Sequence, residues 1–253
     1  MSFKPLKKII LASALTLSCA FNTEARAQTV TLSPTEQASS LPADSVHKEF
    51  NDKGVLISVV RYRNGHLSDG LNGEPCYQEF NDKGALIVVR RFKDGSANDG
   101  ANGEPAYQLF NDDGKLIVVE HFKDGSANDG PNGEPAYRQF NAKGEPVVVM
   151  RFKEGSANDG PNGEPAQLVF ENGKLSFEVH YKDDKWNDGV NGEPAYLMFN
   201  DKGKLIAATR YNDGAAVKTL STEEMAAYQA QRDAAEKIQK KPAFHKNSPV
   251  HRP

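Results

Sequence analysis

Short runs of β-prone residues alternate with turn-forming residues through most of the chain, and this alternation repeats about every 30 residues. In one copy, residues 106–110 read AYQLF, the turn NDDG follows, and residues 115–122 read KLIVVEHF. Asparagine at the first turn position and glycine at the fourth favour a type I turn closed by a left-handed glycine, since only glycine takes positive φ freely. Each copy therefore predicts a β-hairpin.

An aromatic residue precedes the turn in every copy and sets the period at 30, 30, 30, 30 and 29 residues. Six copies of the unit fill residues 47–214. A lone two-stranded hairpin is marginal in water, so the hairpins are expected to pair with one another. The pattern predicts a mainly β fold, in which tandem hairpins of about 30 residues form an elongated antiparallel sheet. The marker aromatics are Phe50, Phe80, Phe110, Phe140, Phe170 and Phe199.

The two faces of this sheet follow from the pairing across each turn. Pairing Asn111 with Lys115 puts Phe110 beside Leu116 and Tyr107 beside Val119. Neither face is then plainly polar, so the sheet must curl, fold its loops back or pair with another molecule. The predicted faces are Phe110, Leu116, Val118 and Phe122 on one side, and Tyr107, Ile117, Val119 and His121 on the other.

A ten-residue segment recurs between the hairpins, as NDGANGEPAY at residues 98–107 and NDGPNGEPAY at residues 128–137. Five copies occur, counting SDGLNGEPCY, NDGPNGEPAQ and NDGVNGEPAY. A catalytic loop is normally needed once, whereas a segment present in every copy of a repeat must serve the stacking geometry. Its Asn, Gly and Pro residues are turn formers, so the segment is interpreted as the connector that returns the chain for the next hairpin.

A cationic or titratable residue stands before the last aromatic of every hairpin, and we call this set the basic column. Neighbouring members are expected to lie about 9 to 10 Å apart, two strand spacings. Two interpretations stay open. Each member can answer a loop carboxylate such as Asp99 or Glu104, or the column can bind an anionic polymer or lipid head groups, together with tyrosines predicted on the same face. These candidates are Arg61, Arg91, His121, Arg151, His180 and Arg210, with Tyr77, Tyr107, Tyr137 and Tyr196.

The connector loops are also rich in oxygen ligands suited to calcium. An EF-hand numbered from Asp94 fails, because Asp99 falls where the glycine is required. A looser calcium site would use Asp99, Asn102 and Glu104. We predict no required cofactor, and keep a calcium-stabilised structural protein of the cell envelope as the alternative function.

The N-terminus has the layout of a cleaved secretory signal over residues 1–27, with three lysines, an apolar run and a terminal Ala-Arg-Ala. The apolar run is too short to span a bilayer as a helix. Lipidation at Cys19 is an alternative to cleavage. Export to the periplasm or the exterior is therefore expected, followed by a flexible Ser/Thr/Pro-rich tether over residues 28–46. Removing residues 1–27 changes the formal net charge from −3 to −6, which does not suit a nucleic-acid binder.

The composition changes after the last hairpin. Ser221 and Glu224 form a capping box, Leu220 and Met225 can form a hydrophobic staple, and helix formers follow as far as Lys241. A C-terminal helix over residues 215–241 is expected to cap the open end of the array. Residues 242–253 are expected to be a basic disordered tail.

The recurring pattern of NDKGALIVVRRFKDG, with glycine, leucine, an aromatic and a second Asp-Gly, resembles the MORN-variant repeats of bacterial proteins. The resemblance covers the six hairpins and implies consecutive hairpins in an elongated antiparallel sheet. It also implies roles in protein scaffolding, membrane-lipid contact or, in some bacterial members, as antitoxins. The period here is longer, by the connector segment.

No catalytic signature is found: the sequence has no Gly-x-Ser-x-Gly, no His-Glu-x-x-His and no phosphate-cradling glycine loop. Cys76 stands where the other copies have alanine, which indicates a small packed residue rather than a reactive thiol. The sequence thus predicts an exported, non-enzymatic repeat protein that presents a β-surface. The expected partner is a protein, an envelope or host surface, an anionic polysaccharide or a lipid, and not nucleic acid.

Overall fold

The computed structural model describes residues 44–239. The predicted signal peptide, the tether as far as residue 43 and the basic tail lie outside the described residues. The elements are β1 (Asp44–Phe50), β2 (Leu56–Arg63), β3 (His66–Leu67), β4 (Tyr77–Phe80), β5 (Leu86–Arg90), β6 (Phe92–Lys93), β7 (Ser96–Ala97), β8 (Tyr107–Phe110), β9 (Leu116–Glu120), β10 (Phe122–Lys123), β11 (Ser126–Ala127), β12 (Tyr137–Phe140), β13 (Pro146–Met150), β14 (Phe152–Lys153), β15 (Ser156–Ala157), β16 (Gln167–Glu171), β17 (Lys174–Val179), β18 (Tyr181–Lys182), β19 (Lys185–Trp186), β20 (Tyr196–Phe199), β21 (Leu205–Asn212), β22 (Ala215–Thr219) and α1 (Thr222–Gln239).

The six hairpins stand side by side in one antiparallel sheet, as predicted. Its strand order is β1-β2-β4-β5-β8-β9-β12-β13-β16-β17-β20-β21-β22, and β3 pairs with β2. We number the repeats 1 to 6 from the hairpins β1–β2, β4–β5, β8–β9, β12–β13, β16–β17 and β20–β21. The order in space follows the order in sequence, which is the arrangement of a solenoid whose units contact only their neighbours.

The hairpin turns have the predicted chemistry. In repeat 3 the side-chain oxygen of Asn111 accepts the backbone N–H groups of Asp113 and Lys115, at 3.0 and 2.9 Å. Gly114 closes the turn at a φ of 74°, which lies in the left-handed region that favours glycine. In repeat 5 the turn is shorter, because Asn172 and Gly173 alone join two strands that pair Glu171 with Lys174. This missing turn residue explains the single 29-residue period.

The predicted register is wrong by one residue beyond the turn. Phe110 pairs with Leu116 as expected, but a β-bulge follows and Leu109 pairs with Val118. Tyr107 therefore pairs with Glu120 and not with Val119. Because side chains alternate along a strand, this one-residue slip moves each tyrosine to the face opposite from the one predicted.

A second row of small hairpins runs beside the main sheet. The pairs β6–β7, β10–β11, β14–β15 and β18–β19 each form a separate two-stranded sheet. In repeat 3 the turn of the small hairpin uses Asp124 and Gly125, with φ values of 50° and 82°. The Gly125 N–H donates to the carbonyl of Ala97 in the previous small hairpin, at 2.9 Å. The small hairpins thus link neighbouring repeats a second time.

The ends of the array differ from the predicted boundaries. Strand β1 begins at Asp44, so residues 44–46 belong to the sheet and not to the tether. Residues 215–219 form the edge strand β22, and the helix starts only at Thr222. The capping box is present: Glu224 N–H donates to Ser221 Oγ at 3.3 Å, and Ser221 N–H donates to Glu224 Oε2 at 3.0 Å. In the described part of the chain, no helix is long and apolar enough to cross a membrane.

The main sheet has two faces that are named here by what lies on them. The tyrosine face carries Tyr77, Tyr107, Tyr137 and Tyr196. The helix face carries the alternate residues and, at the C-terminal end, α1. Leu197, the neighbour of Tyr196 in β20, is fully buried in a cluster to which Met225 and Tyr228 of α1 contribute.

Candidate binding surface

The aspartate of the connector loop joins two consecutive repeats. Asp99 Oδ1 accepts two backbone N–H groups. One is that of Ala106 in its own loop, at 2.9 Å, and the other is that of Phe122, which follows the hairpin of repeat 3, at 3.0 Å. Asp99 Oδ2 accepts from His121 Nδ1 at 2.8 Å, and the Asp99 N–H donates to the Phe122 carbonyl at 2.9 Å. One side chain and its backbone therefore satisfy four polar groups at the seam between repeats.

The same arrangement occurs at all five connector loops. The carboxylate lies 2.6 to 3.0 Å from the paired member of the basic column, and both partners are mostly buried at four of the seams. Such charge-assisted contacts are stronger than neutral hydrogen bonds. The pairs are Asp69–Arg91, Asp99–His121, Asp129–Arg151, Asp159–His180 and Asp188–Arg210.

The basic column is thereby committed to internal contacts, which favours the first of its two interpretations. The side chains of His121 and His180 are only 2% and 1% exposed, and that of Arg91 is 11% exposed. The column lies on the helix face, because Arg61 donates to the side chain of Gln78, the neighbour of Tyr77 in β4. The prediction that the column and the tyrosines share one face is wrong, for the register reason given above.

Arg61 differs from the rest of the column because no connector loop precedes it. The residue at the equivalent spacing is Ser39, which lies outside the described residues. The Arg61 guanidinium donates instead to the Pro75 carbonyl at 2.6 Å and to Gln78 Oε1 at 3.2 Å. Strand β1 pairs alongside it, with Val46 opposite Arg61.

The other polar residues of the loop hold its own turn. Asn102 donates its backbone N–H to Glu104 Oε2 at 3.0 Å and its side-chain amide to Glu104 Oε1 at 3.1 Å. These hydrogen bonds lower the pKa of Glu104. A Cβ on Gly100 would lie 2.4 Å from Glu104 Oε2, so the glycine leaves room for this contact. The predicted calcium ligands therefore serve two different purposes, Asp99 at the seam and the pair Asn102–Glu104 in the turn.

The structure gives no geometry for a calcium site. Among the described side chains, those of residues 44–235, there is no group of three or more His, Cys, Asp or Glu that could hold a metal ion. Both oxygens of Asp99 are already engaged by protein donors. A calcium-stabilised form stays a prediction of the sequence.

The tyrosines belong to a continuous cross-strand row, here called the tyrosine row. Tyr77 pairs with Arg90, which pairs with Tyr107, which pairs with Glu120, which pairs with Tyr137. The Arg90 guanidinium carbon lies 5.2 Å from the centre of the Tyr77 ring and 5.8 Å from that of Tyr107, within cation–π range. The tyrosines of neighbouring repeats therefore lie about 9 to 10 Å apart, which is two strand spacings.

Packing within the tyrosine row raises the pKa values of titratable side chains in it. Burial, followed by the neighbouring Glu79 carboxylate, raises the pKa of Tyr77 to about 12. Burial also raises the pKa of Glu120, although the Arg90 charge acts in the opposite direction. The tyrosines keep their hydroxyl protons at neutral pH and remain half-exposed, so they present amphipathic rings to solvent.

The tyrosine row continues towards the C-terminus through non-aromatic residues to Tyr196, where further aromatic rings lie. Met150 pairs with both Tyr137 and Gln167. Further along, the Trp186 ring of a small hairpin stacks on Tyr196, with centroids 5.8 Å apart and planes inclined by 18°. The Tyr211 ring meets the edge of Trp186 at 4.7 Å.

His180 sits in a chain of charges that reaches α1. Its Nδ1 lies 2.6 Å from Asp159 Oδ2, and its Nε2 lies 3.5 Å from Glu178 Oε1. Glu178 Oε2 accepts from Arg232 of α1 at 2.5 Å. Burial by itself lowers the pKa of His180, but the hydrogen bonds and charges of Asp159 and Glu178 outweigh it and raise the pKa to about 9. Glu178 has a lowered pKa, because His180 and Arg232 outweigh the opposing effect of its burial.

Sequence reasoning singled out the basic column and named loop carboxylates such as Asp99 or Glu104 as possible partners, and the structure selects Asp99 and its equivalents. The aspartates precede the column by 22 residues at four seams and by 21 at the shortened one. This constant spacing was readable from the sequence. The loop position itself gave no indication that its aspartate reaches across to the next repeat. Comparison with known proteins adds no family: no family model matches the chain, and no match is found among curated proteins.

Proposed function

We propose that this chain is an exported, non-enzymatic repeat protein whose tyrosine face binds a protein partner. The observation that supports this most is the tyrosine row, in which Tyr77, Tyr107 and Tyr137 stand half-exposed at a regular spacing with Arg90 between the first two. Tyrosine, arginine and methionine are the residue types enriched in protein interfaces, where a few aromatic and arginine anchors dominate the binding energy.

The choice of a protein over an anionic polymer follows from the charges. Five of the six members of the basic column are paired with loop carboxylates, so they offer no regular stripe of free positive charge. On the tyrosine row itself, Arg90 is followed by Glu120, so the charges alternate in sign. A row of rings with alternating charge suits an extended protein surface.

Repetition gives this surface its strength. Each ring contributes little alone, but rings on successive repeats engage one partner together, which raises the effective concentration for every later contact. The predicted signal peptide indicates export, so the partner is expected in the envelope, outside the cell or on a host surface.

The test compares the mature protein with a variant in which Tyr77, Tyr107 and Tyr137 are each changed to Ser. Immobilised protein is mixed with envelope extract, captured proteins are identified, and the affinity of each is measured with the purified protein. We expect about a 10-fold or greater loss of affinity in the triple variant, because truncating an interface anchor costs about 1 to 2 kcal/mol or more.

Two controls make this outcome decisive. A variant with Lys83→Gln and Lys143→Gln alters exposed turn positions, and it should bind as the wild type does. Raising the salt concentration separates the interpretations, since salt screens exposed charges but not apolar ring contacts. Binding that is abolished by salt and indifferent to the tyrosines would replace this proposal with an anionic lipid or polysaccharide ligand.

A further inference from the structure

Helix α1 is an example of an element that packs against the helix face of the sheet. It lies over the last two repeats, where Met225 and Tyr228 pack against a buried cluster that contains Phe199 and Leu205. Gln229 Oε1 accepts the backbone N–H of Leu205 at 2.9 Å. The chain thus already contains one amphipathic helix docked on this face.

The same apolar pair recurs in earlier repeats, where it is less deeply buried. Phe199 and Leu205 are 6% and 4% exposed under α1. The equivalent pairs in repeats 2 and 3 are only half-buried, although they pair across the bulge in the same way. Apolar side chains that stay partly accessible to water in neighbouring repeats favour an interaction surface. These pairs are Phe80–Leu86 and Phe110–Leu116.

The charges on the open part of the face differ from those under α1. The helix is held by Arg232, which pairs with Glu178. The position equivalent to Glu178 in repeat 4 is Val149, and its partner across the hairpin is Arg138. The Nε of Arg138 is buried and has no hydrogen-bond partner among the described residues. The rest of the Arg138 side chain is partly exposed, and no carboxylate pairs with it among the described residues, so its guanidinium charge suits a carboxylate supplied by a partner.

We propose that the helix face of repeats 2 to 4 docks an amphipathic helix of a protein partner, which lays its apolar stripe over the half-buried Phe–Leu pairs and presents a carboxylate to Arg138. This is the groove mode of helix recognition, with the geometry supplied by α1 of the same chain. A second copy of α1 is a poor occupant, because its Arg232 would approach Arg138 with like charge.

This inference goes beyond the proposed function and uses the opposite face of the sheet. Loss of binding at the tyrosine row therefore leaves the helix-docking proposal standing, and the reverse also holds. The two faces can be tested separately in the same full-length mature protein.

The probe is a peptide of residues 220–239 that carries Arg232→Glu, with the unaltered peptide as its match. A lactam bridge between the exposed positions 226 and 230 holds the helix, since isolated helices of this length are marginal in water. We expect the altered peptide to bind the mature protein at least about 10-fold more tightly than the unaltered one, as a desolvated charge pair replaces a like-charge contact.

Charge reversal on the protein supplies the decisive comparison. Arg138→Glu should invert the preference, so that the unaltered peptide binds more tightly, and a double-mutant cycle over both changes isolates the pairwise coupling. Phe110→Ser combined with Leu116→Ser should abolish binding of either peptide. The matched control is Val118→Ser, on the tyrosine face, which should leave peptide affinity unchanged. Circular dichroism and urea unfolding check that each variant is folded.

Mapping the bound peptide completes the test. A photo-reactive group at its centre should label repeats 2 to 4. Labelling of repeats 5 and 6, which means that the peptide merely replaces α1, would overturn the proposal. The absence of measurable binding, or an equal effect of Arg138→Glu on both peptides, would also overturn it.

Discussion

Replacing Asp99 with alanine tests whether the connector aspartate holds neighbouring repeats together. The substitution leaves the N–H groups of Ala106 and Phe122 and the Nδ1 of His121 without their acceptor. The Asp99 side chain is only 14% exposed, so water replaces these contacts poorly. Each buried donor left unsatisfied costs about 1 to 3 kcal/mol, and we therefore expect a total destabilisation of about 3 to 5 kcal/mol.

Two further variants calibrate this value. Asp99→Asn keeps an oxygen that can accept the two backbone N–H groups and replaces only the charged oxygen that faces His121 with an amide nitrogen, so a smaller loss of about 1 to 2 kcal/mol is expected. Asp113→Ala changes an exposed aspartate in the hairpin turn of the same repeat and should alter stability by no more than about 0.5 kcal/mol.

Urea unfolding of the mature protein, followed by circular dichroism and by Trp186 fluorescence, measures the three variants. For a domain of this size, a loss of 3 to 5 kcal/mol lowers the midpoint by about 1 to 2 M. If the two probes separate in Asp99→Ala only, the array has divided at the weakened seam. Equal stability of Asp99→Ala and Asp113→Ala would refute the reasoning and leave the repeated loop without its structural explanation.

Four other outcomes are expected. Deleting residues 101–130 restores an intact connector and should leave a folded, shorter protein, whereas deleting residues 101–115 removes half a hairpin and should abolish the cooperative unfolding transition. Thermal unfolding with excess chelator should match that with millimolar calcium, and a large rise in Tm with calcium would favour the envelope-protein alternative. The pKa of His180 is raised to about 9 in the folded protein, so its contribution to stability is complete below its unfolded pKa near 6.5 and is lost as the pH rises through 9. The destabilisation caused by His180→Gln should therefore shrink between pH 6.5 and 9.5. A destabilisation that stays constant over this range would contradict the proposed interaction of His180 with Asp159 and Glu178. Burial raises the pKa of the Cys76 thiol to about 12, so iodoacetamide at pH 8 should modify it only in urea, and rapid labelling of the folded protein would show an accessible thiol.

The sequence was enough to predict the hairpins but not the faces of the sheet. Asn111 and Gly114 are local signals, and each acts within the turn that it specifies, so the repeats and their order could be predicted. The bulge is different, because it lies beyond the turn, at Ile117, where Phe110 pairs with Leu116 but Leu109 pairs with Val118. Counting outward from the turn therefore placed Tyr107 on the wrong side, and the proposed binding surface with it.

The seam between repeats illustrates the same limit at the candidate site. The repeated loop was interpreted as a turn-forming connector, which holds for the Asn102–Glu104 pair inside it, and the contact of Asp99 or Glu104 with the basic column stayed one of two alternatives. Asp99 acts across a sequence separation of 22 residues, on a partner in the next hairpin. Local turn rules say nothing about contacts at that separation, and only the fixed spacing between the two columns carries the information.

The residues that repeat from copy to copy and the residues that would distinguish a partner are therefore different sets of positions in this chain. The positions that recur, such as the hairpin-turn glycines and the aspartates of the five connector loops, are accounted for by contacts that hold the array together. Chemistry that differs from copy to copy has no such explanation: the tyrosine row passes from Arg90 through Glu120 to Met150 at one structural position, and the helix face has Glu178 where an earlier repeat has Val149. A partner that distinguishes one repeat from the next must contact these variable positions, so substitutions there should change binding without changing the fold, whereas substitutions at the seams should do the reverse.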